Sequence, residues 1–259
     1  MSVDYIQTTA TENVSILNPA FPMLSLKRRR RIWIYLPSGY HETTRRYPVI
    51  YMHDGQNLFD SHTSFCGEWG VDKFMNTMDK QCIVVGIYNG GLRRWNEYNI
   101  LDSDEQGEGE GLEYISFIAE ELKPQIDSDY RTLKSAGDTL MVGSSMGGLI
   151  TFYAGIFFPE VFGVLGVFSP SFFTNPALTR NLRAYMKGKS YRKQRYFFDV
   201  GANEHPQMIA QMLEVSQELK KLTKAEVIAS VTPEAGHNEV SWSMTFARFY
   251  HWFAGPNEE

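Results

Sequence analysis

Ser145 sits in Gly143-Ser144-Ser145-Met146-Gly147, a G-x-S-x-G pentapeptide with Gly148 behind it. The apolar run Thr139-Leu140-Met141-Val142 comes before it, and the helix-like Leu149-Ile150-Thr151-Phe152-Tyr153-Ala154 comes after. A strand, a sharp glycine-flanked turn and a helix hold a serine hydroxyl above the end of a sheet. Small flanking residues let the backbone fold back without clashes. The helix that starts there directs N–H groups and its positive dipole end at the space over the hydroxyl. That is a setting for a nucleophile. A purely structural glycine-rich turn is the competing reading.

A serine hydroxyl is a weak nucleophile until a base takes its proton. The chain offers His41, His53, His62, His205, His237 and His251. His237, in Ala235-Gly236-His237-Asn238, follows the last strand candidate and precedes the last helix, where catalytic groups of open α/β sheets sit. His251 falls inside an amphipathic helix pattern and reads as packing. An acid must then fix the imidazole tautomer. Two candidates lie in Phe198-Asp199-Val200-Gly201-Ala202-Asn203-Glu204. Asp199 is within a strand-like run. Glu204 is in the loop beyond Gly201, from which a carboxylate reaches the histidine loop more readily. A serine–histidine pair without an acid is a third option. The oxyanion requires N–H donors. The backbone of Met146 is one, and Gly55 or Gln56, in the loop after residues 49–52, is the other.

These residues need elements to position them. Apolar, β-branched or aromatic runs at 32–36, 49–52, 83–87, 140–142, 164–168, 196–200 and 227–231 read as strands. A further short strand at 13–17 pairs at the sheet edge. Helical patterns at 71–79, 112–126, 146–158, 177–186, 207–222 and 240–253 alternate with them. Ile115, Ile118, Ala119, Leu122 and Ile126 share one helix face, as do Met208, Met212, Val215, Leu219 and Leu222. Alternation of this kind predicts an α/β fold with a mostly parallel central sheet of about eight strands and helices on both faces.

At 259 residues, one domain over 1–259 is the expectation, with residues 1–26 as an N-terminal extension. A net charge of -5 gives no reason to expect nucleic acid, and no apolar run is long enough to span a bilayer. The basic run 27–31 leads into a strand and reads as its solvated entrance. Residues 1–5 lack the start of a secretory signal, so a cytoplasmic location is expected. Cys66 and Cys82 make neither a disulfide framework nor a metal cluster, and Cys82 reads as a buried thiol. His53, Asp54 and His62 lack the spacing of zinc ligands. Residues 102–111 (DSDEQGEGEG) read as a mobile surface loop without calcium-site spacing. No metal and no cofactor are therefore expected.

The motifs resemble the esterase branch of the α/β-hydrolases, which includes esterase D, enterochelin esterases, feruloyl and acetyl-xylan esterases and mycolyltransferases. The resemblance runs from Arg31-Ile32-Trp33-Ile34-Tyr35-Leu36-Pro37 through the segment 47–60 with its His53-Asp54-Gly55-Gln56-Asn57. It continues through Arg94, Glu97-Tyr98, the segment 121–127, the Ser145 pentapeptide and Ala235-Gly236-His237 to the final helix. It implies an α/β-hydrolase fold, Ser145 as nucleophile and His237 as base. Glu204 falls where relatives carry an aspartate or a glutamate.

The expected partner is a small-molecule ester, cleaved through an acyl-serine intermediate. Trp69, Arg94, Trp95, Glu97 and Tyr98, with Arg93, are candidates to hold an acyl or aryl ester of a sugar or polyhydroxy compound, or a short-chain ester. Loop packing and a local Arg94–Glu97 ion pair are the alternatives. Phe157, Phe158, Phe172 and Phe173 either line an acyl pocket or pack. An enterochelin-like esterase, an acyltransferase and a catalytically silent binding relative are the competing functions. Oligomeric state is open.

Overall fold

The computed structural model describes residues 8–191 and 193–255; residues 1–5, read above for a secretory start, lie outside them. Among the described residues eight strands form one sheet: β1 (Val14–Met23), β2 (Arg28–Tyr35), β3 (Val49–Met52), β4 (Ile83–Ile87), β5 (Thr139–Ser144), β6 (Val164–Phe168), β7 (Arg195–Gly201) and β8 (Glu226–Thr232). Their order is β1-β2-β4-β3-β5-β6-β7-β8. The β1–β2 and β2–β4 pairs are antiparallel and all others are parallel. The central strands β3 to β6 are buried along their whole length, which is why they read as unbroken apolar runs.

The helices are α1 (Val71–Met75), α2 (Arg94–Glu97), α3 (Gly111–Ser116), α4 (Lys123–Asp129), α5 (Met146–Phe157), α6 (Leu178–Tyr185), α7 (Pro206–Leu222) and α8 (Glu239–Ala254). A π-helical turn, Phe117–Leu122, joins α3 to α4. Two apolar cores lie on opposite faces of the sheet. Ile34, Tyr51 and Met141 pack with α3 to α7, whereas Trp33, Met52 and Val142 pack with α1 and α8. Among the described residues no helix is long and apolar enough to cross a membrane.

Four segments depart from expectation. β1 runs from residue 14 to 23 rather than 13 to 17, because an edge strand tolerates Pro19 and Pro22 where a central strand cannot. The first helix stops at Met75, and the chain turns where Thr77 Oγ1 donates to the Phe74 carbonyl at 2.7 Å. Arg28 to Arg31 of the basic run belong to β2 rather than preceding it, and Arg30 is buried. The acidic segment is tied down rather than free. Asn96 Nδ2 donates to the Gln106 and Glu108 carbonyls, and Glu110 pairs with Arg28.

Candidate active site

Each catalytic candidate sits just beyond the carboxyl end of a parallel strand. β5 ends at Ser144, and Ser145 turns into α5 with φ 59° and ψ −123°, a conformation L-residues avoid. Its glycines are required. A Cβ on Gly143 would lie 2.5 Å from the Gly147 carbonyl oxygen and 2.9 Å from His53 Cδ2, and one on Gly148 would lie 2.6 Å from the Phe168 carbonyl oxygen. Main-chain bonds from Ser145 N to Phe168 O (3.0 Å) and from Ser171 N to Ser145 O (3.1 Å) fix the turn against the end of β6.

β7 ends at Gly201, where any side chain would strike the Ala235 carbonyl. That close approach lets the loop after β7 lie on the loop after β8. Asn203 N donates to Ala235 O at 3.0 Å. Asn238 caps α8 by accepting from Ser241 N at 3.0 Å, and Gly236 N donates to Ser241 Oγ at 3.0 Å. His237 is thereby held between two anchored residues.

The outcome is a continuous hydrogen-bonded chain. Ser145 Oγ lies 3.0 Å from His237 Nε2, and His237 Nδ1 lies 2.8 Å from Glu204 Oε2. Glu204 Oε1 accepts from Ser169 Oγ at 2.6 Å and from Gly201 N at 2.8 Å. Burial works to raise the Glu204 carboxyl, but the bonds from His237, Ser169 and Gly201 outweigh it and hold the group below its ordinary value. An ionised Glu204 only accepts, so Nδ1 carries the imidazole proton and Nε2 presents its lone pair to the serine. Ser169, with φ 42°, in turn accepts from Trp242 Nε1 at 2.9 Å, and the Trp242 ring meets His237 edge-on, with centroids 4.9 Å apart. Nothing in the sequence marks Ser169 or Trp242 for these positions.

A family model described as "Putative esterase" matches residues 24–253. The chain belongs to this esterase family. Among its relatives, Bacillus subtilis (strain 168) YbbA is 24% identical over 242 residues, 88% of this chain and 94% of YbbA. An IroE-like serine hydrolase from Shewanella oneidensis superposes with a TM-score of 0.73 at 23% identity, covering 96% of this chain and 79% of the other. The enterobactin esterase FES from Shigella flexneri superposes at 0.72 with 18% identity, covering 96% and 61%. The sheet and its helices are the α/β-hydrolase fold.

In this esterase the serine opens onto a cleft of about 520 Å³ whose lining includes the polar residues Asp54, Gln56, Asn57, Asn89, Arg94 and Asn238. Phe65, 88% exposed, Cys66 and Trp242 are also on its wall, and none of the three was singled out for the site from the sequence. Arg94 lines the cleft, but its partner is not Glu97. Its Nε and Nη2 grip Asp54 at 2.7 and 2.8 Å, and Asn89 Nδ2 adds a third bond to Asp54 at 2.7 Å. Burial favours a neutral Asp54, yet the Arg94 guanidinium keeps its carboxyl below the usual range.

The other substrate candidates lie elsewhere. Trp69 is buried against Phe168 and Trp242 behind the site. Glu97 is fully buried and takes Arg30 at 2.6 Å and Arg28 at 3.1 Å. Tyr98 is buried, with its hydroxyl on Asp54 N at 3.1 Å and Arg94 over its ring. Trp95 packs at the edge of the core. Phe157, Phe158, Phe172 and Phe173 are all outside the cleft lining. Of the oxyanion candidates, Met146 is the first residue of α5, whose leading N–H groups have no intrahelical partner. Gln56 faces the cleft, whereas the Gly55 α-carbon is pressed on β4, where a Cβ would lie 2.6 Å from Gly86.

Asp199 is turned away from His237. It accepts from Ser230, Thr232 and Thr245 hydroxyls at 2.7, 2.7 and 2.9 Å and pairs with Arg248 at 2.8 Å, fastening β7, β8 and α8 together. His53 is likewise committed, with Nδ1 on the Tyr114 hydroxyl at 3.0 Å, and burial pushes it down to about 3. Among the described residues no group of three or more His, Cys, Asp or Glu converges to hold a metal.

Proposed function

We propose that the chain is a serine carboxylic-ester hydrolase working through an acyl-enzyme. The observation that carries this is the chain from Ser145 Oγ through His237 to Glu204, at 3.0 and 2.8 Å. His237 Nε2 takes the Ser145 proton as Oγ attacks the ester carbonyl. Glu204 offsets the charge that builds on the imidazolium. The Met146 N–H, joined by that of Gln56, receives the oxyanion. His237 then protonates the leaving alcohol, and a water deprotonated by the same nitrogen releases the acid.

The polar side chains on the cleft wall support a hydroxylated substrate, a short acyl or aryl ester of a sugar or polyhydroxy compound. Cleavage of a siderophore-type lactone, as suggested by the enterobactin esterase neighbour, and acyl transfer would use the same relay. Product analysis with and without an added acceptor alcohol separates hydrolysis from transfer. Ser145→Ala is expected to lower 4-nitrophenyl acetate turnover by at least about 1,000-fold and abolish fluorophosphonate labelling, with an unchanged melting curve. Undiminished turnover would remove the mechanism, and failure of the unaltered chain to label would favour a silent binding protein.

A further inference from the structure

β2 runs antiparallel to β4, so its N-terminal end, which carries the arginines, rises at the carboxyl edge of β4, the same edge that bears Ser145. There a second cleft, of about 410 Å³, is lined by Arg28 to Arg31, Tyr88 and Arg93. It shares Asn89 with the serine cleft, and the adjacent residues Arg93 and Arg94 line one cleft each. The two clefts therefore meet.

Charge in the second cleft does not balance. Arg28 and Arg30 are matched by Glu97 and Glu110. Arg29 and Arg31 are exposed and make no ion pair among the described residues, while the exposed Arg93 acts on Glu110, which Arg28 already holds. Arg29 reaches only the Ala20 carbonyl, and Arg31 lies over the Tyr88 ring at 5.2 Å. Five guanidinium groups thus face two carboxylates here, on a chain of net charge -5. A second observation is independent of that excess. Two buried donors of the wall, Nε of Arg30, itself only 5% exposed, and the Tyr88 hydroxyl, have no acceptor among the described residues. Donors and positive charge together call for an oxyanion.

We propose that this arginine cleft is a subsite for an anionic group on the substrate, so that the preferred esters carry a carboxylate or a phosphate on a hydroxylated skeleton. The inference rests on the serine-hydrolase reading for its turnover and on its own binding chemistry for the rest. Asn89 joins the subsite to the reacting centre, because the Asp54 that it holds is also the anchor of Arg94.

The test compares acetylated glucuronate and acetylated glucose 6-phosphate, each paired with acetylated glucose, in the unaltered enzyme and in Arg29→Gln/Arg31→Gln. Neither arginine belongs to the relay, so 4-nitrophenyl acetate turnover should be unchanged. The charged member of at least one pair is expected to show KM lower by about 10-fold, a preference lost in about 0.5 M salt and in the double variant. Preference in one pair alone tells a carboxylate site from a phosphate site. Equal KM values within both pairs, or a preference that survives the substitutions, would overturn the subsite. If no ester is turned over at all, the hydrolase reading fails separately. Calorimetric titration of glucuronate and inorganic phosphate then decides the subsite: millimolar binding that the double variant loses supports it, and no binding refutes it.

Discussion

Glu204→Gln tests the relay at its least obvious member. Oε1 faces two donors, the Ser169 hydroxyl and the Gly201 N–H, at 2.6 and 2.8 Å. The serine hydroxyl can rotate, but the backbone N–H cannot. A glutamine must therefore place its amide oxygen at the Oε1 position, which points its NH2 at His237 Nδ1. Opposing N–H groups cannot hydrogen-bond, so Nδ1 becomes the acceptor and the imidazole proton moves to Nε2, facing Ser145. The base then has no lone pair for the nucleophile. Wrong-tautomer losses of this kind are about 1,000- to 10,000-fold, equivalent to about 4–5.5 kcal/mol of barrier. The packing volume is conserved and every donor at Oε1 keeps its acceptor, so the melting temperature should change little at neutral pH. The assay is kcat/KM for 4-nitrophenyl acetate from pH 6 to 9, beside thermal melts. Asp199→Asn is the control: it weakens the Arg248 pair and lowers stability while leaving kcat/KM within about threefold. A Glu204→Gln enzyme within about tenfold of the unaltered one, or an Asp199→Asn enzyme with the larger kinetic loss, would refute the assignment.

Burial holds His53 neutral down to about pH 3, whereas the unfolded chain protonates it near 6.5. The unfolded state thus binds the proton first, and stability falls as pH drops through this window, by roughly 2–3 kcal/mol between pH 6.5 and 4.5. Urea melts should show that slope, and His53→Gln should flatten it; an unchanged slope would exclude His53 as its source. Glu204, held below its ordinary value, acts in a lower window: its contribution is present above the unfolded carboxylate value and is lost as pH falls further. Gly143→Ala places a methyl against the Gly147 carbonyl and His53, so soluble yield or fluorophosphonate labelling should fall by at least about 100-fold. Labelling at the original rate would show that the elbow can relax.

Local pattern carried much of this protein. The G-x-S-x-G turn between a buried strand and a helix is a contiguous steric requirement, and the chain spells it in adjacent residues. The strands β3 to β7 were legible because burial on both faces demands unbroken apolar runs. β1 was half-read, since its prolines are tolerated only at an edge, and edge position is a property of the sheet. The sequence offered both Asp199 and Glu204 as the acid. Only the tertiary structure decided which of them meets His237, because alternation along β7 turns Asp199 toward β8 and α8, while Gly201 admits the Ala235 loop that brings His237 to Glu204. The same holds for charge. Arg94 and Glu97 are three positions apart, yet each found its partner across the fold, in Asp54 and in Arg28 and Arg30. Ser169 and Trp242, 73 residues apart in the chain, are joined by one hydrogen bond, and a second from Ser169 supports Glu204. Sequence proximity records what must be local; which distant polar groups satisfy one another is settled only when the sheet brings its strand ends together.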